Sequence, residues 1–196
     1  QPEKVVADHS LESMLIGLQA LCFQSVFSQT GQIHEDPNQP IVIEGRSSGF
    51  EMAFISANAL DLLTAGLPLG AIPLRFRPCR ANGSQHPQTG NAAIKRYVDG
   101  FFATYAMTFY EQHKHLFCMH YGKQNKTAWP VSARLLWMIR NHHAHNGDLR
   151  QWTAALPIHW RALSIVDGSC ATLTDHFAGP DYFILCRDTL DELVRA

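Results

Sequence analysis

Apolar residues recur every three or four positions in five segments of the chain, which is the spacing of one buried face of an α-helix. The predicted helices span roughly 10–28, 48–65, 91–117, 130–145 and 181–194. The third carries a stripe of aromatic side chains, which we assign to core packing rather than to a cofactor. This pattern predicts an all-α fold, a helical bundle of four or five helices.

Three shorter segments do not follow the helical pattern. Residues 158–165 alternate between apolar and polar and precede a turn signal at Asp167-Gly168, so we expect a small β-hairpin after the fourth helix. Residues 41–44 are either a strand or an extended loop. Residues 68–90 are rich in proline and glycine and predict a loop. Its arginines are either solvated or contact phosphates: Arg75, Arg77 and Arg80.

Composition adds few restrictions. The length of 196 residues and the 46% hydrophobic content are typical of one globular domain, which we place at 1–196. A net charge of -1 means that any contact with nucleic acid must come from a local patch. The five cysteines are widely spaced and form no C-x-x-C pair, and no apolar run reaches the length of a membrane span. We therefore expect a cytoplasmic protein with no membrane association.

The chemistry is concentrated at the end of the fourth predicted helix, where Arg140-Asn141-His142-His143-Ala144-His145 follows an apolar stretch. Cleavage of RNA without a metal needs a base for the 2′-hydroxyl and an acid for the leaving 5′-oxygen, and histidine serves either purpose. We assign His145 as that acid or base. Arg140 is suited to stabilise the phosphorane, and Asn141 to orient the phosphate.

Helical geometry limits this assignment. Asn141 and His145 fall on one face of the helix with Arg134 near the same line, whereas Arg140 lies about 140° from His145. A single histidine does not readily act as both acid and base, so a homodimer with a composite active site would supply the second one. We expect Arg134, His142 and His143 to bind substrate.

Metal binding is the competing hypothesis for the histidines. One group comprises His142, His143 and His145, and a second comprises His113, His115 and His120. Neither matches a helical zinc pair or a zinc-finger spacing. We therefore predict no metal and no cofactor.

The segment from Trp129 to Leu163 resembles the HEPN family, whose motif is an arginine followed by four to six residues and a histidine. Arg140, Asn141 and His145 match that motif, and Gly147 and Trp160 follow it. The resemblance implies a dimeric helical bundle that cleaves single-stranded RNA or tRNA loops in a toxin–antitoxin or defence system. An antitoxin or accessory protein is a further implied partner.

One position of this chain does not fit regulation by a nucleotidyltransferase partner, and the family also suggests a second function. Family members that are silenced by a nucleotidyltransferase partner often carry a tyrosine two residues after the histidine, where this chain has Gly147. Some members are also non-catalytic and bind a nucleotide or a protein partner. The alternative function is therefore a non-catalytic HEPN module.

Overall fold

The computed structural model describes residues 40–55, 75–79, 92–144, 156–166 and 173–195. These residues form three α-helices: α1 (Ala92–Tyr121), α2 (Val131–Ala144) and α3 (Gly179–Arg195). They also form two antiparallel sheets, one with strands β1 (Pro40–Glu44), β2 (Phe50–Ile55) and β3 (Arg75–Pro78), and one with β4 (Ile158–Trp160) and β5 (Leu163–Ile165). Within these residues no helix is long and apolar enough to cross a membrane.

The predicted all-α bundle of four or five helices is wrong. The segment 48–65 was expected to be helical because Phe50 and Phe54 are four residues apart, but Phe50–Ile55 is the central strand of the larger sheet. Neighbouring residues Glu51 and Met52 are both buried, although successive residues of a strand face opposite sides. Phe50-Glu51-Met52 does alternate, but Ala53, Phe54 and Ile55 are apolar in succession, so the alternation that marks a strand in the sequence ends after three residues.

Other predicted elements differ in smaller ways. Residues 41–44 belong to strand β1, and part of the predicted 68–90 loop is strand β3, which pairs with β2. A hairpin follows α2, but it turns at Arg161-Ala162, and Arg161 adopts a left-handed φ of 51°. The expected turn residues, Asp167 and Gly168, lie outside the described residues, as does the predicted helix 10–28.

Helix α3 is the element on which the others assemble. It contacts α1, α2 and the three-stranded sheet. The ring of Phe183 on α3 lies 4.9 to 5.8 Å from three other aromatic rings, which come from β3 and α1: Phe76, Phe102 and Tyr105. This cluster fixes α1 against α3, and α2 packs against both helices.

A buried carboxylate fixes the β1–β2 loop to the start of α3. Asp181 is fully buried, and its two oxygens accept hydrogen bonds from the backbone N–H groups of Arg46, Ser47, Ser48 and Ala178. The distances are 2.6 to 3.1 Å. The same loop accepts a hydrogen bond from the hairpin, because Ala162 N–H donates to the Ser47 carbonyl at 3.1 Å. The β-structure therefore supports the helices from one side.

Candidate functional site

The second half of α2 carries most of the predicted site. Arg140 is partly exposed, with 37% of its side-chain surface accessible, whereas Asn141 and His142 are buried at 7% and 8% exposure. His143 is half-buried. His145, the residue to which we assign proton transfer, lies outside the described residues.

A hydrogen-bonded ion pair holds the guanidinium of Arg140. Its Nε lies 2.8 Å from Glu111 Oε1 on α1, and its Nη1 donates to Asn141 Oδ1 at 3.1 Å. Glu111 also accepts a hydrogen bond from Lys114. These hydrogen bonds lower the pKa of Glu111 and keep it ionised at neutral pH. The hydrogen bond from Lys114 has the larger effect, and that from Arg140 follows. Arg140 is thus oriented from two helices, while Nη2 has no hydrogen bond to the residues that the structure describes.

Asn141 therefore has a contact that the sequence did not predict. Its side-chain carbonyl accepts a hydrogen bond from Arg140, so it orients the guanidinium itself. The amide nitrogen of Asn141 remains a donor of the kind that a phosphate accepts. Orientation of a phosphate by Asn141 stays a prediction.

The rings of His142 and His143 meet edge to face, with centroids 5.5 Å apart. Burial lowers the pKa of His143, and the charge of His142 lowers it further. A neutral imidazole is the form that can take a proton. The burial of His142 leaves a substrate little of its surface to contact, whereas His143 is more accessible and follows Arg140 by one helical turn.

Arg134, another predicted substrate residue, lies two turns before Asn141 on α2. Its Nη1 donates to the Pro157 carbonyl at 3.1 Å and so ties α2 to the segment that leads into β4. This contact supports the fold near the site, and substrate binding by Arg134 stays a prediction.

Cationic residues and histidines are concentrated in the part of the sequence that includes α2. Of the chain's sixteen lysines and arginines, five lie between residues 100 and 147, together with six of its eleven histidines. Glu111 is the only carboxylate in the same interval. We did not predict Glu111 as a site residue. The charge count around it is the sequence signal that could have found it.

No group of three or more histidine, cysteine, aspartate or glutamate side chains within the described ranges is arranged to hold a metal ion. His113, from the second histidine group, instead has its Nδ1 2.8 Å from the Phe109 carbonyl and stacks on the Phe109 ring at 4.2 Å. This histidine is engaged in packing within α1.

The chain was compared with known proteins at the level of sequence and of structure. Neither the protein-family models, nor the curated proteins, nor the solved structures with which it was compared give a match. Function is therefore argued from the residues themselves.

Proposed function

We propose that this chain is a metal-independent endoribonuclease of the HEPN type that acts on single-stranded RNA or tRNA loops. The observation that supports the proposal is the environment of the Arg140 side chain. Its guanidinium is partly exposed, oriented by Glu111 and Asn141, and located in a segment rich in histidines and cations. An oriented arginine fork next to titratable imidazoles is a suitable arrangement for a developing phosphorane.

The proposed reaction needs no component other than RNA and side chains. A neutral histidine removes the proton of the 2′-hydroxyl, and the 2′-oxygen attacks the adjacent phosphorus. Arg140 stabilises the charge of the phosphorane. The bond to the 5′-oxygen then breaks, and a protonated histidine donates a proton to that oxygen. The products are a 2′,3′-cyclic phosphate and a 5′-hydroxyl.

His145 is one of the two proton-transfer groups in this proposal. The second comes from His145 of another copy in a homodimer, because a composite site across a two-fold axis places equivalent histidines on both sides of the phosphate. Asn141 and Arg140 act as a unit, and His143 and Arg134 flank the bound strand.

The Glu111 contact also favours a second candidate function. A carboxylate that occupies Arg140 Nε reduces the charge available to a phosphate. A non-catalytic module that binds a nucleotide or a protein partner does not have to stabilise a phosphorane, so it needs less of this charge. The two functions differ in whether RNA is cleaved.

Cleavage of a fluorophore-labelled single-stranded RNA by the full chain in EDTA distinguishes them. We expect cleavage by the wild type and its loss in Arg140→Ala and His145→Ala. His159→Ala is the matched control, since His159 is exposed on β4 and its Nδ1 lies 3.1 Å from Ser164 Oγ. Equal activity in all four proteins contradicts the proposal. Loss of activity only when EDTA is added indicates a metal enzyme, and a folded wild type that cleaves no RNA with or without EDTA indicates the non-catalytic module.

A further inference from the structure

Lys126, the buried Trp129 and the partly buried Trp137 lie together before Arg140 in the sequence. Lys126 belongs to a short 3-10 turn, Lys126–Ala128, that precedes α2. Its Nζ lies 3.5 Å from the ring centroid of Trp129 and 5.7 Å from that of Trp137. The ammonium group is thus held beside two indole rings.

The two indoles have different environments. Trp129 is 2% exposed, its ring lies 5.6 Å from that of Phe117 at a tilt of 42°, and its Nε1 donates to the Gly122 carbonyl at 2.7 Å. It is a fixed part of the core. Trp137 is only partly buried and belongs to the row of partly exposed α2 residues that includes Arg134 and Arg140, spaced three residues apart. Trp137 thus packs against the core and keeps part of its surface accessible.

Lys126 is less exposed than lysines usually are. Lysine usually keeps its ammonium in water and buries only its stem. Here burial lowers the pKa of Lys126, the charge of Cys118 opposes this shift, and the nearby Lys123 adds to it. Within the described parts of the chain, Lys126 has no carboxylate partner. An anion bound at this position would relieve the repulsion between Lys123 and Lys126.

A nucleotide offers one group for the tryptophan ring and another for the lysine. Its base stacks on an aromatic face, and its phosphate pairs with a cation. Trp137 and Arg140 lie about one helical turn apart on the same side of α2, with an axial rise of about 4.5 Å, so they are neighbours on that surface. A strand whose phosphate binds Arg140 would therefore pass close to Trp137. Only an unpaired base can turn out of its strand to make this contact.

We propose that Trp137 and Lys126 form a subsite for one unpaired nucleotide adjacent to the phosphate bound by Arg140. The proposal rests on the proposed function for the identity of that neighbouring phosphate. The subsite selects single-stranded over duplex RNA and supplies affinity through stacking.

Binding of a labelled, fully 2′-O-methylated single-stranded RNA oligonucleotide tests the subsite, because this probe cannot be cleaved through its 2′-oxygen. We expect Trp137→Ala to raise Kd about tenfold or more, and Trp137→Phe to restore most of the affinity. Lys126→Gln should weaken binding and reduce the slope of log Kd against log salt by about one. Arg187→Ala is the charge control, since Arg187 lies on α3 near Asp188 and Phe50.

The outcomes separate the two proposals. Wild-type binding that depends on Trp137, without cleavage of unmodified RNA, overturns the proposed function and supports the subsite. Cleavage of unmodified RNA with an unchanged Kd in folded Trp137→Ala and Trp137→Phe overturns the subsite alone. Absence of wild-type binding, or equal competition by a duplex of the same sequence, also overturns the subsite.

Discussion

Glu111 Oε1 on α1 lies 2.8 Å from Arg140 Nε on α2, and this ion pair orients the arginine on which the proposed chemistry depends. In Glu111→Gln the charge that fixes the guanidinium is lost. We expect kcat for RNA cleavage to fall about ten- to hundredfold, because a displaced catalytic group loses its alignment with the phosphate. KM should not rise, since the patch becomes more positive.

The same substitution should have little effect on stability. Both side chains are 37% exposed, so the pair contributes no more than about 1 kcal/mol to the free energy of unfolding. Lys114→Gln is the matched control, because Lys114 bonds to Glu111 without contacting Arg140. Steady-state kinetics measures both variants. Wild-type kcat in Glu111→Gln would show that the pair only joins the two helices.

The lowered pKa of His143 makes stability depend on pH. Burial, followed by the charge of His142, holds this pKa below its usual 6.5, so between the two values the folded protein binds fewer protons than the unfolded chain. The free energy of unfolding therefore decreases as the pH falls through that window and is fully retained above about 6.5. His143→Gln should flatten this decrease, and His159→Gln should leave it unchanged. Urea denaturation at several pH values measures it, and identical pH slopes in all three proteins would refute the assignment.

The Asp181 carboxylate should be essential for the β1–β2 loop. In Asp181→Asn one oxygen that accepts two backbone N–H groups becomes an amide donor that faces them. We expect a loss of about 3 kcal/mol in the free energy of unfolding. Asp191→Asn, at an exposed position of α3, should change it by less than about 0.5 kcal/mol. Equal urea midpoints for the two variants would contradict this.

Two glycines should respond to alanine with opposite signs. A Cβ at Gly179 would lie 2.4 Å from Phe102 Cε2, so Gly179→Ala forces α1 and α3 apart and should cost about 1 to 3 kcal/mol. A Cβ at Gly100 meets no atom within 4 Å, and Gly100→Ala inside α1 should stabilise by about 0.5 to 1 kcal/mol. Thermal unfolding measures both effects. A raised Tm for Gly179→Ala would show that Phe102 moves aside at little cost and would contradict this prediction.

Local patterns in the sequence were sufficient to predict the three helices that the structure describes. Periodic apolar positions predicted α1, α2 and α3 to within a few residues, and α1 continues to Tyr121, where Gly122 with φ of 79° follows it. The strand Phe50–Ile55 does not stand out in the sequence, because Ala53, Phe54 and Ile55 are apolar in succession and end the alternation after Met52. Strand pairing depends on partners distant in sequence, which a single segment does not reveal.

The site was predictable only in part. The pattern around Arg140 drew attention to α2, but its bond with Glu111 joins residues 29 positions apart on two helices. That contact forms only when α1 packs on α2, and the sequence of one helix alone does not predict this packing. Lys126 and Trp137 were missed for the same reason, because their proximity depends on the turn that precedes α2.

The chemical form of the RNA ends tests the proposed function most directly. Full-length protein is incubated in EDTA with a single-stranded RNA, and the products are analysed by mass spectrometry beside a 2′-O-methylated strand of the same sequence. We predict 2′,3′-cyclic phosphate ends from the unmodified RNA, no cleavage of the methylated strand, and no products from Arg140→Ala. Products with 5′-phosphates, cleavage that requires added Mg²⁺, or no cleavage by the wild type would contradict the proposal.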